Sequence, residues 1–378
     1  INKNMQKKYI SLGLMSGTSG DGVDASIIES NGINRFKPIK DKYFEYDNDI
    51  YKKIHILKEA IHSAKDLQKY SLDLLDLEKK ITLFHGKVIT DIIKNIKVDL
   101  IGFHGQTIYH NSKEKISNQL GDARLLFQLT NKKIIYNFRQ NDIENGGEGA
   151  PLSPIFHQII SDQIKLDLPA IILNIGGISN ATIVNKYNDE TALMSRDIGP
   201  GNCMIDTWVR KNSKQKFDND GSLASRGNVN EVIFENGLEL FGNKTIEEKT
   251  FSLDVNNFDI SFARGLSLED GAATLTDLTA RIIGTSLSSS VSKIQNKILK
   301  VLVCGGGRKN KFFMKKIKEN LSSNLIIKSI DNYGINGDFV ESQAFAFLAI
   351  RSILKLPISF PRTTGCLKFC SGGEVVEN

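Results

Sequence analysis

One pattern occurs twice in this chain and restricts the folds open to it more than any other. It is an apolar run, a glycine-bearing polar turn and a second apolar run. It appears first as "YISLGLMSGTSGDGVDASII", residues 9–28, and again as "AIILNIGGISNATIV", residues 170–184. Short apolar, β-prone runs on either side of turn formers read as hairpins. Their recurrence predicts a structural echo, with each hairpin opening one copy of a similar unit. After each hairpin the pattern turns to alternation of strand and helix. "VDLIGFHGQTIYH" and "KKIIYNFRQNDI" read as strands, and residues 51–95 have helical spacing with Leu72, Leu75, Ile81 and Leu83 as apolar positions. Further helices are expected at Pro154–Ile164, Met204–Arg210, Leu266–Val291 and in "ESQAFAFLAIRSIL", while residues 213–265 read as polar and irregular. "KVLVCGGGRKNKFFMKKIKENL" reads strand, glycine turn, helix. The fold class is α/β, with two similar domains and a cleft between them.

At 378 residues the chain exceeds one ordinary core, which also favours two domains. The balance of 49 basic to 43 acidic residues gives a net charge of +6, spread without a basic block, so no nucleic-acid partner is required. A mildly basic surface suits a small anionic substrate instead. The longest uncharged stretch, Leu168 to Asn185, is broken by Pro169, Asn174, Gly176, Gly177 and Asn180. It reads as buried strands, so no membrane partner is expected. Lys3, Lys7 and Lys8 precede an apolar run too short and glycine-interrupted for a signal peptide. Four cysteines do not make a disulfide framework; Cys203 and Cys304 read as buried thiols, and Cys366 with Cys370 is a single C-x-x-x-C pair, a weak case for zinc. A reducing, cytoplasmic location fits this usage.

Four glycine-rich turns follow apolar runs: "SGTSGDG", "NIGGISN", "DIGPGN" and "CGGGRKN". Taken alone, "SGTSGDG" reads either as a plain hairpin turn or as a phosphate loop of amides and small hydroxyls. Four such turns, two of them paired hairpin tips, favour a nucleotide cleft. Glycines 305–307 would let the backbone approach a flat adenosine.

The chain resembles the anhydro-N-acetylmuramic acid kinases, bacterial sugar kinases of the actin/hexokinase/Hsp70 superfamily. The resemblance is carried by "GLMSGTSGDGVDASI", "HGQTIYH", "FRQNDIENGGEGAPLSP", "LNIGGISNATIV", "DIGPGN", "VCGGGRKN", "ESQAFAFLAIRSI" and "LPISFPRTTG", in that order over nearly the whole length. It implies two RNase-H-like (actin-like ATPase) domains with an interdomain active-site cleft, and ATP and Mg²⁺ as cofactors. The expected boundaries are residues 1–168 plus 353–378 on the sugar side and 169–352 on the nucleotide side. The implied reaction opens 1,6-anhydro-N-acetylmuramic acid with water and phosphorylates O6, in peptidoglycan recycling. A 1,6-anhydro sugar has no free 6-hydroxyl, so a base must first activate water for attack at C1, and the freed O6 then takes the γ-phosphoryl group.

By the same resemblance Asp197 matches the catalytic base; from its residue context alone it reads equally well as a cap for the helix that follows. Gly17, Thr18, Ser19, Gly20, Asp21, Gly22, Val23 and Asp24 match the phosphate loop, with Asp21 the indirect, water-mediated partner of Mg²⁺. Gly176, Gly177, Gly305, Gly306 and Gly307 complete the nucleotide side. Ser16, His104, Arg139, Asp142 and Glu341 match substrate positions, and an arginine suits the lactyl carboxylate of a muramyl sugar. Three residues depart from the family pattern: Gly20 stands for a usual leucine, Glu148 for a common glutamine and Ile198 for a common threonine. The family also suggests a homodimer. Two other readings of the same fold are a different sugar or acid kinase, and an actin- or Hsp70-like ATP-driven switch without sugar chemistry.

Overall fold

The computed structural model describes residues 7–242, 250–292, 294 and 297–377. The chain divides into two compact units. The first comprises Ile1–Lys165, Lys186–Leu193 and Phe339–Asn378, and the second Leu166–Asn185 and Met194–Asp338.

The first unit begins with β1 (Tyr9–Ser16), β2 (Gly22–Ser30) and β3 (Phe36–Glu45), followed by α1 (Asn48–Ala60), α2 (Ala64–Lys69) and α3 (Ser71–Ile93). Then come β4 (Leu100–Asn111), β5 (Ile116–Leu120), α4 (Ala123–Thr130), β6 (Ile134–Tyr136), α5 (Gln140–Glu144) and α6 (Pro154–Gln163). The helix starts are written in the chain: Asp47 accepts from the Ile50 amide at α1, Asp122 accepts from Arg124 and Leu125 at α4, and Pro154 opens α6. The second unit holds β7 (Ala170–Ile175), β8 (Ile178–Val184), β9 (Leu193–Pro200), α7 (Cys203–Asn212), α8 (Glu231–Phe241), α9 (Leu268–Ser290), β10 (Leu299–Cys304), α10 (Lys311–Glu319) and β11 (Leu325–Ser329). Ser267 caps α9 and Asn310 caps α10. The chain ends with α11 (Val340–Ile353), α12 (Pro361–Thr364) and β12 (Glu374–Val376), all in the first unit.

The expected echo is present in the sheets. The first unit orders its strands β12-β6-β4-β1-β2-β3, with β5 added beside β4, and the second orders them β11-β10-β7-β8-β9. Removing β5 and β12 leaves one strand order twice. In each unit the opening hairpin is antiparallel, and its first strand pairs in parallel with the strand that follows the helical insertion. The carboxyl ends of β1 and β4 therefore lie together, as do those of β7 and β10.

Two features depart from the sequence expectation. The helical spacing over 51–95 is realised in α1 and α3, yet Leu72 and Leu75 are 81% and 62% exposed and Leu83 is also exposed. The buried stripe of α3 is Leu74, Leu77, Ile81, His85, Val88, Ile89 and Ile92. Residues 166–168, expected with the first domain, lie in the second unit and residues 186–193 the reverse; residues 339–352, also expected with the second domain, lie in the first unit. For residues 339–352 the reason is steric. A Cβ on Gly13 of β1 would fall 1.9 Å from the Ser342 carbonyl oxygen, and one on Gly102 of β4 would fall 2.4 Å from that of Phe345. Two glycines and the alanines 344, 346 and 349 thus bring the backbone of α11 directly onto the first sheet.

The second unit has apolar clusters built on β7, β10, α9 and α10, and on α7, α8 and α9. In the latter, Trp208 lies against Gly271, where a Cβ would meet the indole at 2.1 Å, and donates its Nε1–H to the Leu268 carbonyl. Helix α8 falls inside the region that reads as irregular from sequence. No helix among the described residues is long and apolar enough to cross a membrane.

Candidate active site

In the first unit, the residues expected to meet substrate sit on neighbouring parts of one sheet and its helices: Ser16 ends β1, His104 lies within β4, Arg139 follows β6 and Glu341 is in the first turn of α11. The β1–β2 connection is a tight turn closed by the Gly20 amide on the Gly17 carbonyl, with Gly20 at φ 63°. Its tip is open: Ser19 is exposed, and Gly17, Thr18 and Asp21 are half-buried. Gln106, midway along β4, donates to the Gly17 carbonyl at 3.0 Å, and Lys58 donates to that of Thr18 at 2.6 Å. Ser19 Oγ donates to Asp21 Oδ1 at 2.6 Å, while the Asp21 carbonyl accepts from the Tyr46 amide. A Cβ on Gly20 would stand 2.7 Å from Ile54 Cγ2, so Ile54 occupies the room a leucine would need. Gly22, Val23 and Asp24 lie inside β2, with the Val23 side chain in the core.

Ser16 is buried at the base of the loop. Its Oγ lies 2.8 Å from the Tyr46 hydroxyl and 3.3 Å from His85 Nε2, and His85 Nδ1 donates to the Ile81 carbonyl at 2.8 Å. Burial pulls the His85 imidazole down to about 4 and pushes the Tyr46 phenol up, so both are neutral near pH 7.

The "HGQ" and "FRQND" motifs meet. Arg139 donates from Nη2 to His104 Nε2 at 2.8 Å and from Nη1 to the Gly149 carbonyl at 2.7 Å. His104 Nδ1 lies 2.8 Å from the Gly105 carbonyl. Only the neutral tautomer with its proton on Nδ1 serves both contacts. Burial, and then the neighbouring guanidinium, hold this imidazole far below its usual range. Asp142 is buried behind Arg139, and both its oxygens are engaged. Oδ1 accepts from Ser359 Oγ at 2.5 Å and Thr364 Oγ1 at 2.6 Å, and Oδ2 accepts from the Gly149 amide at 2.7 Å. Gly149 thus links the carboxylate to the guanidinium. Glu341 is half-buried in the first turn of α11.

In the second unit, three glycine turns interlock at the carboxyl ends of β7 and β10. The amides of Gly201 and Asn202 donate to the carbonyls of Gly177 and Gly176, both at 2.8 Å. A Cβ on Gly201 would lie 2.1 Å from the Gly176 oxygen, so glycine is required there. The triple glycine splits by role. Gly305, at φ 82°, and Gly307 press against the backbone and side chain of Ile175, whereas a Cβ on exposed Gly306 would touch nothing within 4 Å. Arg308 fixes this turn, donating to both Asp331 oxygens at 2.6 and 2.9 Å and to Asp338 Oδ1 at 2.6 Å.

Asp197 lies within β9 and is 6% exposed. Its amide donates to the Phe251 carbonyl at 2.8 Å, and its Oδ2 accepts from the Leu253 amide at 2.7 Å. Helix α7 starts at Cys203 with Asn202 as its cap residue, so Asp197 is not that helix's cap. Ile198 turns into the core and Cys203 is partly exposed rather than buried.

Sequence reasoning missed Tyr46, Lys58, His85, Gln106 and Arg308. Gln106 and Arg308 stand inside motifs already singled out, two residues after His104 and directly after the glycines. The other three come from helices or a strand end with no local signal.

Comparison with known proteins places the chain in a family. The family model described as anhydro-N-acetylmuramic acid kinase matches residues 8–378. An anhydro-N-acetylmuramic acid kinase from Pelagibacter ubique is 52% identical over 99% of this chain and 100% of its own length. Its counterpart from Zymomonas mobilis is 36% identical over 97% of this chain and 99% of its own. Among solved structures, the activator of the 2-hydroxyisocaproyl-CoA dehydratase from Clostridium difficile with bound ADPNP aligns at a TM-score of only 0.40 and 13% identity. It covers 92% of this chain and 96% of that one, too loosely to carry weight. With a family match over almost every residue and relatives of equal length, the chain belongs to the anhydro-N-acetylmuramic acid kinase family.

Proposed function

We propose that this protein is an ATP-dependent kinase that opens 1,6-anhydro-N-acetylmuramic acid with water and phosphorylates O6. The products are N-acetylmuramic acid 6-phosphate and ADP. The observation that carries the reading is Asp197, a buried carboxylate fixed by the Leu253 amide on a strand of a full-length family match. In this reading Asp197 takes a proton from water as its oxygen attacks C1, and the C1–O6 bond breaks. The released O6 then displaces ADP from the γ-phosphorus.

Arg139, held by neutral His104 and the Gly149 carbonyl, meets the lactyl carboxylate, with Ser16 and Glu341 on other polar groups of the sugar. Asp142 serves by fixing Gly149 and with it the guanidinium. The amides and hydroxyls of residues 17–21 and the tip at Gly176–Gly177 bind phosphates, and exposed Gly306 gives the adenosine a bare backbone surface. The hard oxygen donors at Asp21, whose carboxylate is half-exposed and hydrogen-bonded through Oδ1, fit a water-mediated Mg²⁺. When bound, Mg²⁺ supplies neutralisation of the charge on the transferred phosphoryl group. Cytoplasmic residence and a homodimer belong to the same reading.

The test is ADP release from ATP·Mg²⁺ with and without the anhydro sugar, with the product weighed after reaction in ¹⁸O-labelled water. Sugar-dependent release and a phosphorylated product carrying one labelled oxygen are expected. Release indifferent to the sugar, or an unlabelled product, would overturn the reading.

A further inference from the structure

The C-x-x-x-C pair, unremarkable as sequence, acquires a third member in the fold. Cys366 and Cys370 flank a loop whose tip residue Leu367 is 86% exposed, yet both thiols are buried. One ligand atom from each of Cys366, Cys370 and Asp142 lies within 4.8 Å of the others. All three belong to the first unit.

The carboxylate of Asp142 is buried among neutral donors: two hydroxyls, from Ser359 and Thr364, and the Gly149 amide. The hydrogen bonds described for this carboxylate all come from these uncharged groups. A buried carboxylate normally faces a cation or coordinates a metal. Bonds of about 2.0–2.3 Å to a tetrahedral ion place its ligand atoms roughly 3.3–3.8 Å apart, within reach of this cluster after small side-chain movements. The hydroxyls already bonded to the carboxylate are the outer partners such a site uses to orient its ligands.

We propose that Asp142, Cys366 and Cys370 form a structural site for a borderline-soft divalent cation, zinc foremost, with water or a neighbouring hydroxyl as fourth ligand. Binding breaks two S–H bonds, forms two metal–thiolate bonds and releases two protons to solvent, with no change of oxidation state. The ion clips the C-terminal segment onto α5, where the Leu367 amide already donates to the Asn145 carbonyl and the Glu148 amide to that of Thr364. Through Gly149 it also steadies Arg139.

The test measures metal content of the full-length protein after exposure to zinc and exhaustive dialysis, for the parent, Cys370→Ser and, as a control thiol elsewhere, Cys203→Ser. About one zinc per chain is expected in the parent and in Cys203→Ser, falling at least roughly tenfold in Cys370→Ser. The parent's Tm should drop on chelation and return with zinc. Equal zinc in parent and Cys370→Ser, or none in the parent, would overturn the site. So would recovery of the two cysteines as a disulfide from protein purified without oxygen. Should Cys370→Ser not fold, cobalt loading of the parent decides: tetrahedral bands with sulfur-to-cobalt charge transfer support the site, and their absence refutes it.

Discussion

Replacing Asp197 by asparagine and by alanine separates what this residue does for the fold from what it does for the reaction. Its Oδ2 accepts from the Leu253 amide at 2.7 Å at a position only 6% exposed. Asparagine keeps a carbonyl oxygen for that amide, so the bond persists in neutral form and the stability change stays near 1 kcal/mol. Alanine leaves the amide unsatisfied, at about 1–3 kcal/mol. For a unit of this size each kcal/mol moves Tm by about 2–4 °C, so the alanine protein should melt roughly 2–12 °C lower. Neither variant can take the proton from water, and loss of a positioned base lowers kcat by about 10²–10⁴. Calorimetry and sugar-dependent ADP release therefore give different orders. Stability runs parent, asparagine, alanine, whereas turnover is nearly lost in both variants, with sugar and ATP binding by asparagine retained. An Asp197→Asn protein with kcat within a few-fold of the parent would refute the base assignment.

Arg139→Lys removes the planar fork, which should raise the sugar KM by about 10- to 100-fold and leave the ATP KM unchanged. An unaltered sugar KM would count against the carboxylate contact. Gly102→Ala drives a methyl group to 2.4 Å from the Phe345 carbonyl and should cost about 1–3 kcal/mol or more in a melt. Gly306→Ala, with nothing within 4 Å, should leave Tm alone and raise the ATP KM. Burial holds His85 down to about 4 and His157 down to about 3, with His104 also far below its usual range. Because the folded state keeps these rings neutral, their contribution is complete above the unfolded value near 6.5 and is lost as pH falls toward 4. All six histidines lie in the first unit and the single tryptophan, Trp208, in the second. Acid titration should therefore reduce far-UV ellipticity before Trp208 fluorescence responds, and coincident curves would contradict this.

The hairpins and the glycine turns were legible because alternation and turn chemistry are local. The face of α3 was not. Leu72 and Leu75, like Leu74 and Leu77, are three apart on a helix, and only the sheet beneath decides which pair is buried. The home of α11 was equally hidden, since the glycines that admit it, Gly13 and Gly102, stand more than two hundred residues earlier. Asp142 was found by its motif, but its partners Ser359 and Thr364 come from the far end of the chain. The full engagement of its carboxylate could not be read beside "FRQND".

The docking of α11 on β1 also sets an order of events during synthesis. The strand it covers ends at Ser16 and the helix ends at Ile353, while the second unit is complete at Asp338. At about 5–20 residues per second, translation separates the two partners by roughly 17–67 s. Throughout that interval the helix-facing side of the first sheet is uncovered, and before the interval closes the whole of the second unit has been made. The unit that holds β1 is therefore finished after the second unit, and a ribosome stalled just short of α11 would release a protein with the second unit complete and one apolar sheet face of the first in need of a chaperone.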